Sequence, residues 1–380
     1  MDFNLSEEQQ MLLDSIEKFV ANEYDFDTRR ELADSEQGFS TDNWKKFAEF
    51  GWLGVPFEEQ HGGFAGSIVD VMIMAEAFGK VLLTEPFVPS VVLGGSLIDQ
   101  LGNSAQKAEY LPALVDGKLQ LALAYSEARA GGNPAYVTAK ATRAGNADDF
   151  VLNGEKTTVL NGHAADYLLV TARSSGEDRD ARGIEIFAVD TNSEGIARRT
   201  YPTVDGLRAA EIKFDDVRVP AGQRLGDPNN NLAVLETVLD QAIVAVGAEA
   251  VGAMEALVNT TVEYAQTREQ FGTPIGKFQA LQHRMVDMFI AHEESKSLLY
   301  MAALRSLEGG DVAKRAASAL KVQLAKAGRL IGQEAVQIHG GMGMTDALNV
   351  GHYFKRLTAI DTLFGSHDYH LERYAQLDQA

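Results

Sequence analysis

The chain has 380 residues, 45% hydrophobic and 23% charged, an ordinary globular composition with room for two or three domains and a sizeable core. Lys plus Arg number 34 against 54 Asp plus Glu, a formal charge of −20 that argues against a nucleic-acid or anionic-membrane surface but leaves small anionic ligands open. Cysteine is absent, so disulfides, thiolate catalysis and Cys-ligated metal fall away, and no metal site is expected.

The N-terminal Met1-Asp2-Phe3-Asn4-Leu5-Ser6 lacks the basic region and apolar run of a secretory signal, and apolar stretches such as Val91 to Ile98 are too short and glycine-broken to span a bilayer. The expectation is a cytoplasmic protein with no membrane span. Ser6 with Gln9 makes a capping-box start, and Met11, Leu12, Ile16, Phe19 and Val20 follow at helical spacing. Trp44, Phe47, Phe50 and Leu53 form a second amphipathic set. The glycines of Gly51-Trp52-Leu53-Gly54 and Gly62-Gly63 mark a loop. Helical spacing returns over Val69 to Val81 and Ser104 to Leu114, closing a helical domain over residues 1–118.

From Leu119 the period changes to two. Leu121 to Tyr125, Val137 to Thr142, Phe150 to Leu152, Tyr167 to Thr171, Ile184 to Val189 and Glu211 to Val217 are short β-rich runs. Asn153-Gly154 predicts a hairpin turn between strands. A β domain is expected over residues 119–225, with Ser174 to Arg182 a mobile polar loop. Past Gly226-Asp227-Pro228 the helical period resumes in Leu232 to Gln266, Ala280 to Leu307 and Val312 to Ile338, an antiparallel bundle over residues 226–380. Ala245, Gly247, Ala248, Ala250 and Gly252 permit close helix approach in the first of these. The fold class is mainly α with a central β domain.

Two stretches at the C-terminal ends of bundle helices carry the chemistry. Gln337-Ile338-His339-Gly340-Gly341-Met342-Gly343 puts three glycines in four positions, and Arg268-Glu269-Gln270-Phe271-Gly272 lies about 70 residues upstream. Each alone reads as a helix C-cap, where Gly is common. Together, an Arg, two Gln, an aromatic ring and bare backbone make a cradle for a nucleotide.

A helical domain, a small β domain and a helical bundle, with Arg-x-Gln-Phe-Gly and then Gln-x-x-Gly-Gly-x-Gly, resemble the acyl-CoA dehydrogenases from end to end. Gly51-Trp52-Leu53-Gly54, Glu58-Glu59-Gln60-His61-Gly62-Gly63 and Tyr125-Ser126-Glu127 add to the resemblance. It implies that family's fold, with a middle β-barrel-like domain and a C-terminal four-helix bundle. It also implies FAD as cofactor, acyl-CoA converted to trans-2-enoyl-CoA, and an electron-transfer flavoprotein as acceptor. An α-proton is too weakly acidic for an ordinary carboxylate unless the thioester oxygen is hydrogen-bonded and water excluded, so base and hydride acceptor must be pre-positioned. In this family each flavin site is shared between two chains, the bundle of one supplying the far end of its neighbour's site.

The half given to a neighbour is intact, with Arg268 for the pyrophosphate and Gln270, Phe271, Gln337 and Gly341 around the adenosine end. The half kept for the chain's own flavin is altered. The family's Thr-Glu-Pro-x-x-Gly-Ser is Ser126-Glu127-Ala128-Arg129-Ala130-Gly131-Gly132, so Ser126 keeps a hydroxyl while Gly132 lacks one. The Trp-Ile-Thr that packs on the flavin is Thr158-Val159-Leu160. The base is missing too. Gly365, in Leu363-Phe364-Gly365-Ser366-His367, stands where most members carry the catalytic Glu, and Ala242-Ile243 stand where a minority carry Glu-Arg. Losing that Arg weakens CoA binding by this chain.

No catalytic residue is therefore expected in this chain. Asp240, Glu249, Asp361, His367 and Asp368 are the candidate substitutes, each more simply read as solvated or structural. The asymmetric decay points to the base-lacking subunit of a heteromeric acyl-CoA dehydrogenase, a heterotetramer of the pimeloyl-CoA or steroid side-chain type. A self-sufficient flavoenzyme with a substituted base, oxidase- or monooxygenase-like, and a non-catalytic scaffold are the alternatives.

Overall fold

The computed structural model describes residues 5–145 and 149–378; residues 1–4, part of the stretch on which the missing signal was read, lie outside them. The N-terminal part holds α1 (Glu7–Glu23), α2 (Phe26–Asp34), α3 (Thr41–Glu49), α4 (Ile68–Lys80), α5 (Ser96–Leu101) and α6 (Ser104–Val115), with a π-helical segment, Val88–Gly95, leading into α5. The capping box at α1 is present in full, Gln9 N–H donating to Ser6 Oγ and Ser6 N–H to Gln9 Oε1, an arrangement whose loss costs about 0.5–2 kcal/mol. Phe47 and Phe78 stack with centroids 5.8 Å apart, and Trp52 is fully buried beside them. That aromatic core fixes α3 and the Trp52–Gly54 turn against α4.

The middle part is an eight-stranded sheet: β1 (Leu121–Ala124), β2 (Lys140–Arg143), β3 (Phe150–Leu160), β4 (Tyr167–Arg173), β5 (Ile184–Asp190), β6 (Ile196–Pro202), β7 (Arg208–Val219) and β8 (Arg224–Leu225). The order is β6-β7-β3-β2-β4-β5-β8, with β1 parallel to β4. Asn153-Gly154 is not a hairpin turn. It lies inside β3, where the register against β7 slips between Leu152 and Gly154, and the Asn153 amide exchanges two 2.9 Å hydrogen bonds with Asp216. Gly154, at φ +143, passes so close to Ala139 that a Cβ would strike it. The dipeptide signals special backbone, which a bulge uses as readily as a turn. The loop expected to be mobile is instead wrapped around a buried guanidinium: Arg173 donates to the carbonyls of Ser175, Asp178, Asp180 and Arg182.

The C-terminal part is α7 (Asn231–Thr267), a short hairpin of β9 (Glu269–Gln270) and β10 (Thr273–Pro274), α8 (Gln279–Glu308), α9 (Gly310–His339), α10 (Asn349–Thr362) and α11 (His367–Asp378). Among the described residues α7, not Val91–Ile98, is the apolar element long enough to cross a membrane, and 83% of its most apolar window is buried inside the protein. Its glycines explain why it packs so closely. A Cβ at Gly252 would overlap the Glu76 carbonyl oxygen of α4, and one at Gly79 the Glu249 carbonyl oxygen of α7. The helical, β, helical architecture is the fold that the sequence implied.

Candidate functional site

Helices α7 and α9 run in the same direction through the bundle, so their C-terminal ends meet. Tyr264, in the last turn of α7, stacks on His339 at the end of α9 with ring centroids 4.2 Å apart. Arg268 follows Tyr264 by one turn and Gln337 precedes His339, which brings the two glycine-bearing stretches to one end of the molecule. Arg268, Gln270, Gln337 and Gly341 all lie exposed at the surface of this end. Phe271 is 94% exposed and sits at φ +56, with Gly272 at φ +74, so the turn of the β9–β10 hairpin is left-handed at both positions. A bulky aromatic rarely adopts that conformation, which the two-residue turn between Gln270 and Thr273 imposes here. Added Cβ atoms at Gly272, Gly340 and Gly341 would meet nothing within 4 Å, so the backbone here is open to a ligand.

Ser126 lies elsewhere, in a cleft of about 350 Å³ between the sheet and the bundle. Its walls include Ser126, Gly131, Gly132, Thr158, Leu160 and the turn Leu363-Phe364-Gly365-Ser366. Two anchors hold those walls. Glu127 accepts from Thr138 N–H at 2.8 Å, Ala139 N–H at 3.1 Å and the fully buried Lys156 Nζ at 2.7 Å. Burial alone would raise the Glu127 carboxyl, but Lys156 and these donors hold it below the usual range, and burial pushes the Lys156 ammonium down to about 8. On the bundle side Lys321 Nζ donates to the carbonyls of Ile360 at 2.6 Å and Leu363 at 2.7 Å, capping α10 and fixing the turn before Gly365; burial lowers it to about 7. Three strained positions face this one cleft, Thr158 at φ +51, Phe364 at φ +58 and Gly365 at φ +109. A β-branched residue at positive φ is an outlier that points to a functional or inherited site.

Among the described residues the cleft lining contains no carboxylate, imidazole or amine. Its one titratable side chain is Tyr125, whose phenol burial and the neighbouring Tyr369 hold far above the usual range, so it stays protonated. Each candidate substitute base is occupied or outside. Arg373 takes both oxygens of Asp240, at 2.6 and 2.8 Å. Arg356 takes both oxygens of Glu249, at 2.6 and 2.7 Å. Asp361 faces Arg329 at 3.5 Å through Oδ2 while its buried Oδ1 has no hydrogen-bond partner, but it is not among the residues lining the cleft; His367 Nδ1 pairs with Asp368 at 2.9 Å, and the Asp368 side chain is 96% exposed. Ala242 and Ile243 are buried in apolar core.

Sequence reading missed Tyr369. Its ring lies against both glycines of the altered half-site, Cγ 3.2 Å from the place of a Cβ on Gly132 and Cδ1 2.5 Å from that of a Cβ on Gly365. The two glycines and the tyrosine are one packing unit, a relationship between positions more than 200 residues apart that local pattern does not carry.

Family models describing the acyl-CoA dehydrogenase N-terminal, middle and C-terminal domains match residues 6–118, 122–217 and 232–377. The chain is 31% identical over 350 residues to the short-chain specific acyl-CoA dehydrogenase of Clostridium acetobutylicum, covering 91% of both. Among solved structures it is similar to a chain of the ChsE4-ChsE5 complex from Mycobacterium tuberculosis, with TM-score 0.88, 27% identity and coverage of 99% and 98%. It is similar to PigA with FAD and proline at TM-score 0.90, 28% identity and coverage of 99% and 98%.

Proposed function

The chain belongs to the acyl-CoA dehydrogenase family, and from that premise we propose that it is the base-lacking subunit of a heteromeric, FAD-dependent acyl-CoA dehydrogenase. FAD, when bound, supplies the hydride acceptor. Arg268 would hold its pyrophosphate, with Gln270, Phe271, Gln337 and Gly341 around the adenosine end, all presented outward toward a neighbouring chain.

The observation that carries the reading is the contrast between the two half-sites. The outward stretches expose Arg268, Gln270, Gln337 and Gly341, while among the described residues the lining of the chain's own cleft has no carboxylate, imidazole or amine to take a proton. Removing an α-proton needs a positioned base, worth about 10² to 10⁴ in rate. A partner of the same fold would bring the base and bind most of the acyl-CoA, with electrons passing on to an electron-transfer flavoprotein. The likeness to a chain of a two-component complex supports this reading. A cytoplasmic setting accords with it.

The test is purification of the chain alone and together with the products of neighbouring genes, with subunit stoichiometry and flavin content measured in each. A mixed tetramer carrying flavin, and active only when mixed, is the expected outcome. A flavin-replete homo-oligomer that oxidises acyl-CoA unaided overturns it.

A further inference from the structure

The three parts of the chain meet at one buried guanidinium. Arg29 of α2 is 2% exposed; its Nη2 donates to the Asp205 carbonyl oxygen, between β6 and β7, at 2.6 Å, and its Nε to the Leu82 carbonyl oxygen at 3.4 Å. Its Nη1 lies 3.1 Å from Nδ1 of His352, in the first turn of α10. All three partners are neutral. The Asp205 carboxylate is taken by Thr203 and by Arg356 at 2.7 Å, and Arg356 is itself held by Glu249.

An arginine can only donate, so His352 Nδ1 accepts, the ring proton sits on Nε2 and the imidazole is neutral. The side chain is 13% exposed and meets Phe26 edge-on, with ring centroids 5.0 Å apart. Burial first, and then Arg29, hold the ring below its ordinary value of 6.5; Lys355 acts in the same direction and Asp346 against it. Asp346 Oδ1 stands 3.9 Å from Nε2, but its side chain is 76% exposed, it also faces Arg30 and Lys355, and water screens what it offers. A proton on Nδ1 would set two N–H donors and two positive charges against each other in a buried place, so the ring takes one up only as α2 and α10 part.

That contact stands directly behind the outward cradle. A Cβ on Gly351, next to His352, would lie 3.4 Å from the Gly343 carbonyl oxygen and 3.9 Å from that of Thr345, so the first turn of α10 seats the glycine turn to which Gly341 belongs.

We propose that Arg29 and His352 form an acid-released latch, which ties α2 to α10 and keeps the glycine turn of the outward cradle seated for the adenosine end of a flavin. The proposal rests on the shared-flavin reading of that cradle and adds a means of regulation to it.

Hydrogen exchange of α2 and of the first half of α10, read by mass spectrometry on the flavin-loaded assembly and corrected for the pH dependence of chemical exchange, tests the latch. The rate of flavin release is measured on the same samples. An imidazole that is neutral in the closed form and titrates at 6.5 in the open one makes opening about tenfold more frequent at about pH 5.5 than at about pH 7.5. The parent should show that rise, and flavin release should quicken with it. His352→Asn, which offers Arg29 an oxygen acceptor that takes no proton, should remove most of the rise in both. His163, His339 and His370 are present in both proteins, so the difference between them belongs to His352. Nitrogen NMR of the parent ring guards against a variant that folds poorly: a neutral Nε2–H tautomer near neutral pH supports the latch, and a charged ring or an Nδ1–H tautomer overturns it. Opening that is equal at both pH values, or that rises alike in parent and variant, overturns it too. A rise in opening that leaves flavin release unchanged overturns the hold on the cradle and counts against the shared-flavin reading, while the tie between α2 and α10 stands.

Discussion

Tyr264 and His339 stack with their ring planes 24° apart, and that contact holds together two stretches that lie about 70 residues apart in the chain. His339 Nδ1 also sits 2.8 Å from the Ala335 carbonyl oxygen, so the imidazole is oriented by its own helix before Tyr264 meets it. Burial pushes that imidazole below its ordinary value and keeps it neutral, a flat partner for a phenol ring. The cradle of Arg268 and Gln337 is thus set by a buried contact directly behind it.

Arg268→Ala should lower the FAD occupancy of the assembly. A pyrophosphate would lose charge-assisted hydrogen bonds worth about 1.5–3 kcal/mol, equivalent to roughly ten- to a hundredfold in affinity. Gln337→Ala should act in the same direction but less strongly, and Tyr264→Ala should do so by loosening the joint. Visible absorbance of the protein after extensive dialysis reads all three, and unchanged flavin content in Arg268→Ala counts against the shared site.

Gly252→Ala should destabilise the chain at the joint between its first and last thirds. The added methyl would enter the Glu76 carbonyl oxygen, a backbone atom that moves only if α4 moves. Overpacking of this kind costs about 1–3 kcal/mol, and a rigid backbone contact belongs at the upper end. Thermal melts should show the loss, with Ala250→Gly, elsewhere on the same helix, as a comparison. A melting temperature unchanged in Gly252→Ala would mean that the two helices are free to part.

Acid should loosen the turn that carries Gly365. His370 Nε2 lies 2.9 Å from the Phe364 carbonyl oxygen, and burial, reinforced by Lys321 and Arg373, pushes its pKa from 6.5 down to about 3. The unfolded chain therefore takes up this proton first. The contribution to stability is whole above about 6.5 and declines as pH falls toward about 3. His370→Gln should flatten the part of the acid-denaturation slope lying in that window. An identical slope for variant and parent, measured by denaturant titration across the range, would show that the imidazole is solvated.

Helices with strong local signals were legible: the Ser6–Gln9 box and the long apolar period of α7 are contained in a few consecutive residues. Strand β6 was not, because most of its residues are exposed and lie at the sheet edge, and its pairing with β7 is a tertiary fact. The short helices α2, α10 and α11 escaped for a similar reason, being too brief or too mixed for a clear period. At the site, the glycine-rich stretches and the missing carboxylate could be read because each is a gap or a motif at one place. Tyr369 against Gly132 and Gly365, and Arg356 against Glu249, meet through space across distant segments. These residues look ordinary in the sequence until the fold brings them together.

Restoring a carboxylate at position 365 should fail to restore proton abstraction. Gly365 sits at φ +109, where any residue with a Cβ is strained, and the new Cβ would lie 2.5 Å from Tyr369 Cδ1 and 2.9 Å from His370 Nε2. Gly365→Glu should therefore fold less stably, and its carboxylate should not settle in the cleft. Thr158 and Leu160 line the opposite wall, so even a mobile carboxylate introduced there would face a flavin pocket lacking the usual aromatic wall, and a site held loosely loses most of its rate. Rapid mixing of the FAD-reconstituted variant with acyl-CoA should leave the flavin oxidised, as in the parent, while addition of a base-bearing partner bleaches it in both. Rapid bleaching by Gly365→Glu alone would show that this cleft needs only the missing carboxylate, and the chain would then be a complete dehydrogenase that has lost one side chain.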